Sequence, residues 1–302
     1  GRLHGGGGHE VALCTCPALG GAPTKGNLMT TTTVEPARPG MSRRQRARLT
    51  RGAQYAVGLL VLLFLALKTD WKSFSDSFFR LDIAAAMWPR LLTEAIRNTL
   101  VYTVLAFAFG LALGLLLAMM KLSTIGPYRW FANGYIELFR GLPSLVVLFM
   151  VAYGIPNAFP GFKFPGDFFG MVTVGLGLTA AAYMAETIRA GIQAVPKGQM
   201  EAARSLGMST GRTMFSIIIP QAFRIVIPPL TNELILLVKD SSLVYVLGVS
   251  VAQYELTKFG STFLNTKASP TPLIVVALAY LAITLPLSSL VRALEKRFAK
   301  AR

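Results

Sequence analysis

The sequence is built around long uncharged apolar runs. They lie near residues 53–67, 100–120, 144–159, 168–185 and 273–290, and a further apolar stretch follows Phe223. An α-helix needs roughly twenty such residues to cross a hydrocarbon core, and inside lipid its backbone polar groups must be satisfied internally. A transmembrane β-barrel satisfies the same rule, but its strands alternate apolar and polar over about ten residues, whereas these runs are continuous. With 53% hydrophobic and 15% charged residues, the chain is expected to be an all-α integral membrane protein with about six transmembrane helices.

Residues 1–52 are rich in Gly, Thr, Pro and Arg, lack apolar periodicity, and read as a disordered basic tail. Met29 and Met41 are both candidate start residues. Cys14 and Cys16 form a C-x-C pair with nothing nearby to complete a four-ligand metal site, so no metal centre is expected. His4 and His9 also lie in this tail, so the spans have no histidine. The arginines from Arg43 to Arg51 lead directly into the first span with no small-residue cleavage site after it, and read as a cytoplasmic anchor.

Residues 53–90 comprise the first span and an outer interfacial segment, where Trp71, Phe74, Phe78, Phe79 and Trp88 suit headgroup depth. Residues 91–291 hold the remaining spans. In the second, Gly110 and Gly114 are four apart, as are Ala108 and Ala112, a spacing of small residues that lets helices approach closely. A polar bend is expected over 121–130 and a Pro/Gly-rich loop over 156–167; Gly170, Gly175 and Gly177 lie inside the fourth span, where they allow tight packing in lipid. Residues 292–302 form a basic tail.

The net charge of +16 rests on 30 Lys and Arg. These basic residues are not interleaved with aromatics as in a nucleic-acid surface, so no nucleic-acid partner is expected. With six spans and an inner N-terminus, 21 of them fall on the inner side and nine on the outer. This bias predicts both termini inside. It also puts the polar stretch from Tyr183 to Pro220 in the cytoplasm.

That stretch contains Glu201-Ala202-Ala203, then Gly207, then Ile217-x-Ile219-Pro220. A short helix with small residues at Ala202 and Ala203 fits a partner's groove. Gly207 allows a left-handed turn that a Cβ resists, and Pro220 favours a new helix start. This spacing resembles the EAA loop of permease subunits of bacterial ABC importers, here covering 190–221, with Ile219 where that family often has Leu. Tyr135 to Pro143 (YIELFRGLP), Ala182 to Gln199 (AYMAETIRAGIQAVPKGQ) and Lys239 to Leu243 (KDSSL) resemble the polar amino-acid branch, the histidine, glutamine and glutamate type. That branch commonly has Thr where Leu142 stands and KDTSL where KDSSL stands. The resemblance spans about 91–249.

The resemblance implies a type I importer permease with MetI-like architecture in the bacterial plasma membrane. It implies an ATP-binding subunit on the cytoplasmic loop, a second permease subunit (homo- or heterodimer) and an extracytoplasmic substrate-binding protein that delivers an amino acid. It makes Glu201, Ala202, Ala203 and Gly207 the residues that couple to the ATPase. This chain has no G-x-x-x-x-G-K-[ST] phosphate loop. It is therefore expected not to be an enzyme and to hold no cofactor, ATP being used by the partner.

The apolar stretch that begins near Ile225 is about thirty residues long, roughly 45 Å as a helix, and Lys239-Asp240 lies at its middle. Ionisable groups at membrane depth line a path or pair with one another, and broken helices near the midplane mark transport sites. A break is expected near 239–242, with Asn232, Glu233, Lys239, Asp240, Ser241 and Ser242 as candidates to line the path. Glu233 has a second reading, as a buried partner of Arg224 or Lys239. Glu186 and Arg189 are three apart and suit a local ion pair, as do Glu137 and Arg140. Acidic path residues favour a cationic substrate; Arg97 or Lys239 favours an acidic one. The alternative functions are a secondary transporter or channel working alone, and an ABC permease for another small solute.

Overall fold

The computed structural model describes residues 43–299; the Cys14/Cys16 pair, both histidines and both candidate start residues lie outside them. The chain divides into two compact units, 1–67 and 68–302. The described part of the first is helix α1 (Arg43–Lys68) up to its last residue. It starts ten residues ahead of the expected span, because arginine and leucine are both good helix formers and nothing between them breaks the helix. At 26 residues it is about 39 Å long.

In the second unit, α2 (Trp71–Phe78) is capped by Asp70, whose side chain accepts from the backbone N–H of Lys72 (3.1 Å) and Ser73 (3.2 Å). Its rings cluster, Phe74 stacking on Phe78 at 4.6 Å. α3 (Leu81–Arg90) turns Ile83 and Met87 inward against Leu256, Phe259 and Val276. The expected interfacial segment is therefore half docked: α2 is largely exposed, and α3 is packed on the protein.

A π-helical turn, Leu91–Ile96, follows Pro89 and leads into α4 (Arg97–Leu122). α5 (Gly126–Gly141) begins inside the expected polar bend, which shrinks to a few residues. At Leu142-Pro143 the chain turns through 106° into α6 (Ser144–Phe149), a π turn Met150–Gly154, and α7 (Ile155–Ala158). Then come α8 (Asp167–Gln193), α9 (Lys197–Ser205), α10 (Thr210–Thr213), a π turn Met214–Ile218 and α11 (Ile219–Asp240). Two 3-10 turns, Ser241–Val246 and Val251–Gln253, precede α12 (Leu256–Lys267) and α13 (Thr271–Ala299). There is no strand among the described residues. Five stretches are long and apolar enough to cross a membrane, or six if the bent run from α5 to α7 is one span.

The centre of the second unit is the pair α4–α8. A Cβ on Gly110 would lie 3.1 Å from the Ala180 Cβ, and one on Gly114 would lie 3.0 Å from both the Ala181 carbonyl oxygen and the Met184 Cβ. The backbones meet because these positions have no side chain. Ala108 and Ala112 share the spacing but face outward. α6 and α11 complete the core, with Tyr102, Ala106, Leu148, Leu176 and Leu237 buried together. Tyr135 ties α5 to α8 through its hydroxyl, which donates to the Leu178 carbonyl at 2.9 Å.

Candidate functional site

Between α8 and α11 the chain leaves the apolar bundle and makes a compact helix–turn–helix. α9 ends in a Schellman closure. The N–H of Gly207 donates to the Arg204 carbonyl (3.0 Å) and that of Met208 to the Ala203 carbonyl (3.1 Å), the two bonds that satisfy the last carbonyls of a helix. Gly207 has φ +82°, where a Cβ is disfavoured. The Arg204 guanidinium adds a bond to the Met208 carbonyl at 2.9 Å. Ser209 then caps α10. The break read from Gly207 is therefore present as a sharp, fully bonded turn.

Exposure divides the four coupling candidates. Glu201, Ala202 and Gly207 are exposed, whereas Ala203 is buried inside this chain. The two alanines do not form one outward face, because neighbours in a helix point about 100° apart. Among the large apolar side chains of this loop the most exposed is Leu206, at 84%.

At the end of α8 nearest this loop, Glu186 pairs with Arg189, as its spacing predicts, and also with Lys121 of α4 at 3.0 Å. Glu137 and Arg140 form no ion pair among the described residues. Arg140 lies over the Tyr183 ring instead, 5.5 Å from its centroid, a cation–π contact that joins α5 to α8.

The expected break is present: α11 stops at Asp240 and tightens into the 3-10 turn Ser241–Val246. Glu233 and Asp240 are seven residues apart, hence on one face, and both are half-buried. Neither has an ion-pair or hydrogen-bond partner among the described residues, so Glu233 is not a partner of Arg224 or Lys239. Asn232 and Lys239 are exposed, and Ser242 is half-buried. Ser241 differs from the other candidates. It is fully buried, and its hydroxyl donates to the Val238 carbonyl at 2.7 Å.

One polar cluster has almost no signature in the sequence. From α4, the Asn98 amide donates to the carbonyls of Ala252 (2.9 Å) and Tyr254 (3.0 Å), and the Tyr102 hydroxyl to that of Gln253 (2.9 Å). The Thr99 hydroxyl accepts from the Leu256 N–H at 3.1 Å. Glu255, fully buried, caps α12: its carboxylate accepts from the N–H of Thr257 (2.5 Å) and Lys258 (2.6 Å). From α13 the Tyr280 hydroxyl donates to the same carboxylate at 3.1 Å. Burial pushes the Glu255 carboxyl up to about 7, against these donors, which favour its charged form. An acidic residue ahead of a short amphipathic run was the only local hint.

Comparison with known proteins matches residues 110–300 to the family described as binding-protein-dependent transport system inner membrane component. The chain is 42% identical over 204 residues to a probable glutamine ABC transporter permease protein of Bacillus subtilis, covering 68% of this chain and 91% of that one. It is 37% identical to an arginine transport system permease protein of the same organism (72% and 97% covered). Against a glutamate/aspartate import permease protein of Escherichia coli the identity is 36% (76% and 98% covered). Among solved structures, an amino acid ABC transporter crystallised with histidines matches with a TM-score of 0.64 at 37% identity, covering 72% of this chain and 97% of that one. The MetNI methionine transporter, at 20% identity and a TM-score of 0.54, covers 69% of this chain and 98% of that one and shares the fold.

Proposed function

The chain belongs to the inner membrane components of binding-protein-dependent transport systems, a permease family of ABC importers, and we propose that it carries a polar amino acid inward across the bacterial plasma membrane. The observation that carries this reading is the exposed helix–turn of α9 and Gly207, held between two spanning helices in a chain whose relatives are amino-acid permeases. A short helix fixed at both ends to the bundle transmits a rigid push. We assign Glu201, Ala202, Leu206 and Gly207 to contact with a separate ATPase subunit on the cytoplasmic side, with both chain ends on that side. Ala203 supports α9 from within. A second permease subunit and an extracytoplasmic binding protein complete the assembly.

Glu233 and Asp240 are the path residues. Their unpaired carboxylates suit the ammonium group that every amino acid carries, and charge in a low-dielectric passage is worth far more than in water. Asn232, Lys239 and Ser242 flank them on the same stretch of chain.

The test is uptake of a panel of radiolabelled amino acids in cells with and without this chain. Loss of saturable uptake of at least one amino acid on deletion is expected. Uptake unchanged across the whole panel overturns the substrate class. ATP depletion with an ion gradient maintained separates this reading from a transporter working alone. Transport by the importer stops, and transport by the rival continues.

A further inference from the structure

Past Val246 the chain has little structure of its own until α12. Residues 247–255 contain only one short 3-10 turn, Val251–Gln253. Their position is fixed from outside, by Asn98, Thr99 and Tyr102 on α4 and by Tyr280 on α13. Tyr102 grips this stretch twice. Its ring shares a core with Val244 and Leu247, while its hydroxyl holds Gln253. A short, packed link thus joins these bonds to Asp240. Glu255 closes the far end, and it is the only ionisable carboxylate in this cluster.

We propose that Glu255 is a positioning residue, the catch of a latch that fastens the 250–256 segment to α4 and α13 and so holds Glu233 and Asp240 in register for the substrate. The proposal rests on the path assignment made above. The groups facing Glu255 are Tyr280 from α13, Thr99 and Tyr102 from α4, and Thr257 and Lys258 of its own helix. The Lys258 ammonium lies over the Tyr245 ring, 5.2 Å from its centroid, and does not pair with the carboxylate. Neutral donors and no cation therefore meet it.

The sign of the pH effect follows. The carboxyl is raised from its ordinary 4.5 to about 7 when latched. The latched state therefore holds its proton more tightly than an opened, hydrated one. Raising the pH through this interval weakens the latch, and above about 7 the effect is complete.

The test uses the full chain, purified and assembled with its partner subunits. Hydrogen exchange at the amides of 250–258 reads the latch, and amino-acid uptake reads its consequence. In the wild type the opening equilibrium of this segment, corrected for intrinsic exchange, is expected to rise about tenfold or more between pH 5 and 7.5. Glu255→Gln puts an amide N–H against donors. It should open the segment about tenfold at pH 5 and remove the pH dependence. The same variant should raise the KM for uptake about tenfold, with a smaller change in maximal rate. Tyr280→Phe, which removes one of these donors, should fall between it and the wild type. Exchange in Glu255→Gln equal to the wild type at every pH overturns the latch, and so does an unchanged KM with only less folded protein. No uptake by the wild-type assembly overturns the functional reading instead, and the exchange data then judge the latch independently.

Discussion

Replacing Gly114 with leucine should leave no folded protein. The position is enclosed on three sides: an added Cβ alone lies 3.0 Å from the Ala181 carbonyl oxygen, 3.0 Å from the Met184 Cβ and 3.2 Å from the Ala185 nitrogen. Two of these three are backbone atoms of α8 and cannot rotate away. Gly114→Ala demands a separation of a few tenths of an ångström and should destabilise by about 1–3 kcal/mol, as overpacking usually does. Three more carbons demand that α4 and α8 part, which also uncovers Leu176 and Ala180. Water does not drive helices together within a bilayer, so close packing has no substitute there. The measurement is size-exclusion chromatography and a thermal unfolding midpoint in detergent. We expect a lowered midpoint for Gly114→Ala and no monodisperse peak for Gly114→Leu. Ala112→Leu, two residues away on the outward face, should behave as the wild type. Equal behaviour of Gly114→Leu and Ala112→Leu would remove the α4–α8 contact from its central role.

That pair of variants also marks where sequence reading stops. Ala108/Ala112 and Gly110/Gly114 have the same spacing in the same helix, and both pairs suggest close packing. From Val104 to Met120 α4 is apolar on every side, so no polar face beside the two pairs reveals which turns inward; only the position of α8 decides. Local features were legible because their causes are local. Gly207 marks a left-handed turn, a charged pair ends α11, and an arginine-rich start leads into a span. Interactions that depend on a third element were not. Arg140 is drawn from Glu137 to the Tyr183 ring, and Ser241 bonds back to its own helix. Glu255 is buried only because α4 and α13 close over it, about 150 and 25 residues away in sequence.

The break in α11 shows how local and distant causes combine. Lys239 and Asp240 signal that a helix cannot simply continue through apolar surroundings. The route taken after the break is imposed by Asn98, Thr99 and Tyr102. These residues would otherwise be costly inside an apolar helix, and each finds its partner in the backbone of the broken segment. Buried polar groups are tolerated when satisfied. Here the satisfaction is mutual: the segment's carbonyls take protons from Asn98 and Tyr102, and the Leu256 N–H gives one to Thr99.

Gly207→Val should disconnect ATP hydrolysis from transport while leaving the bundle folded. Valine is β-branched and resists the φ of +82° that this turn requires. The strain, about 1–2 kcal/mol, is enough to redirect a turn whose closure rests on two backbone bonds. Leu206 and the end of α9 would then point elsewhere, although nothing lies within 4 Å of the new Cβ to disturb the core. In the assembled transporter we expect substrate-stimulated ATP hydrolysis and uptake both to fall more than tenfold, with expression and thermal midpoint near wild type. Gly207→Asn separates geometry from size. Asparagine carries a longer side chain but tolerates the left-handed region, so it should retain most of the activity. If both variants fail alike, bulk at this position, not backbone conformation, is what the partner rejects. If Gly207→Val transports normally, α9 and its turn are not where the ATPase pushes, and the coupling role must move to another exposed segment of the chain.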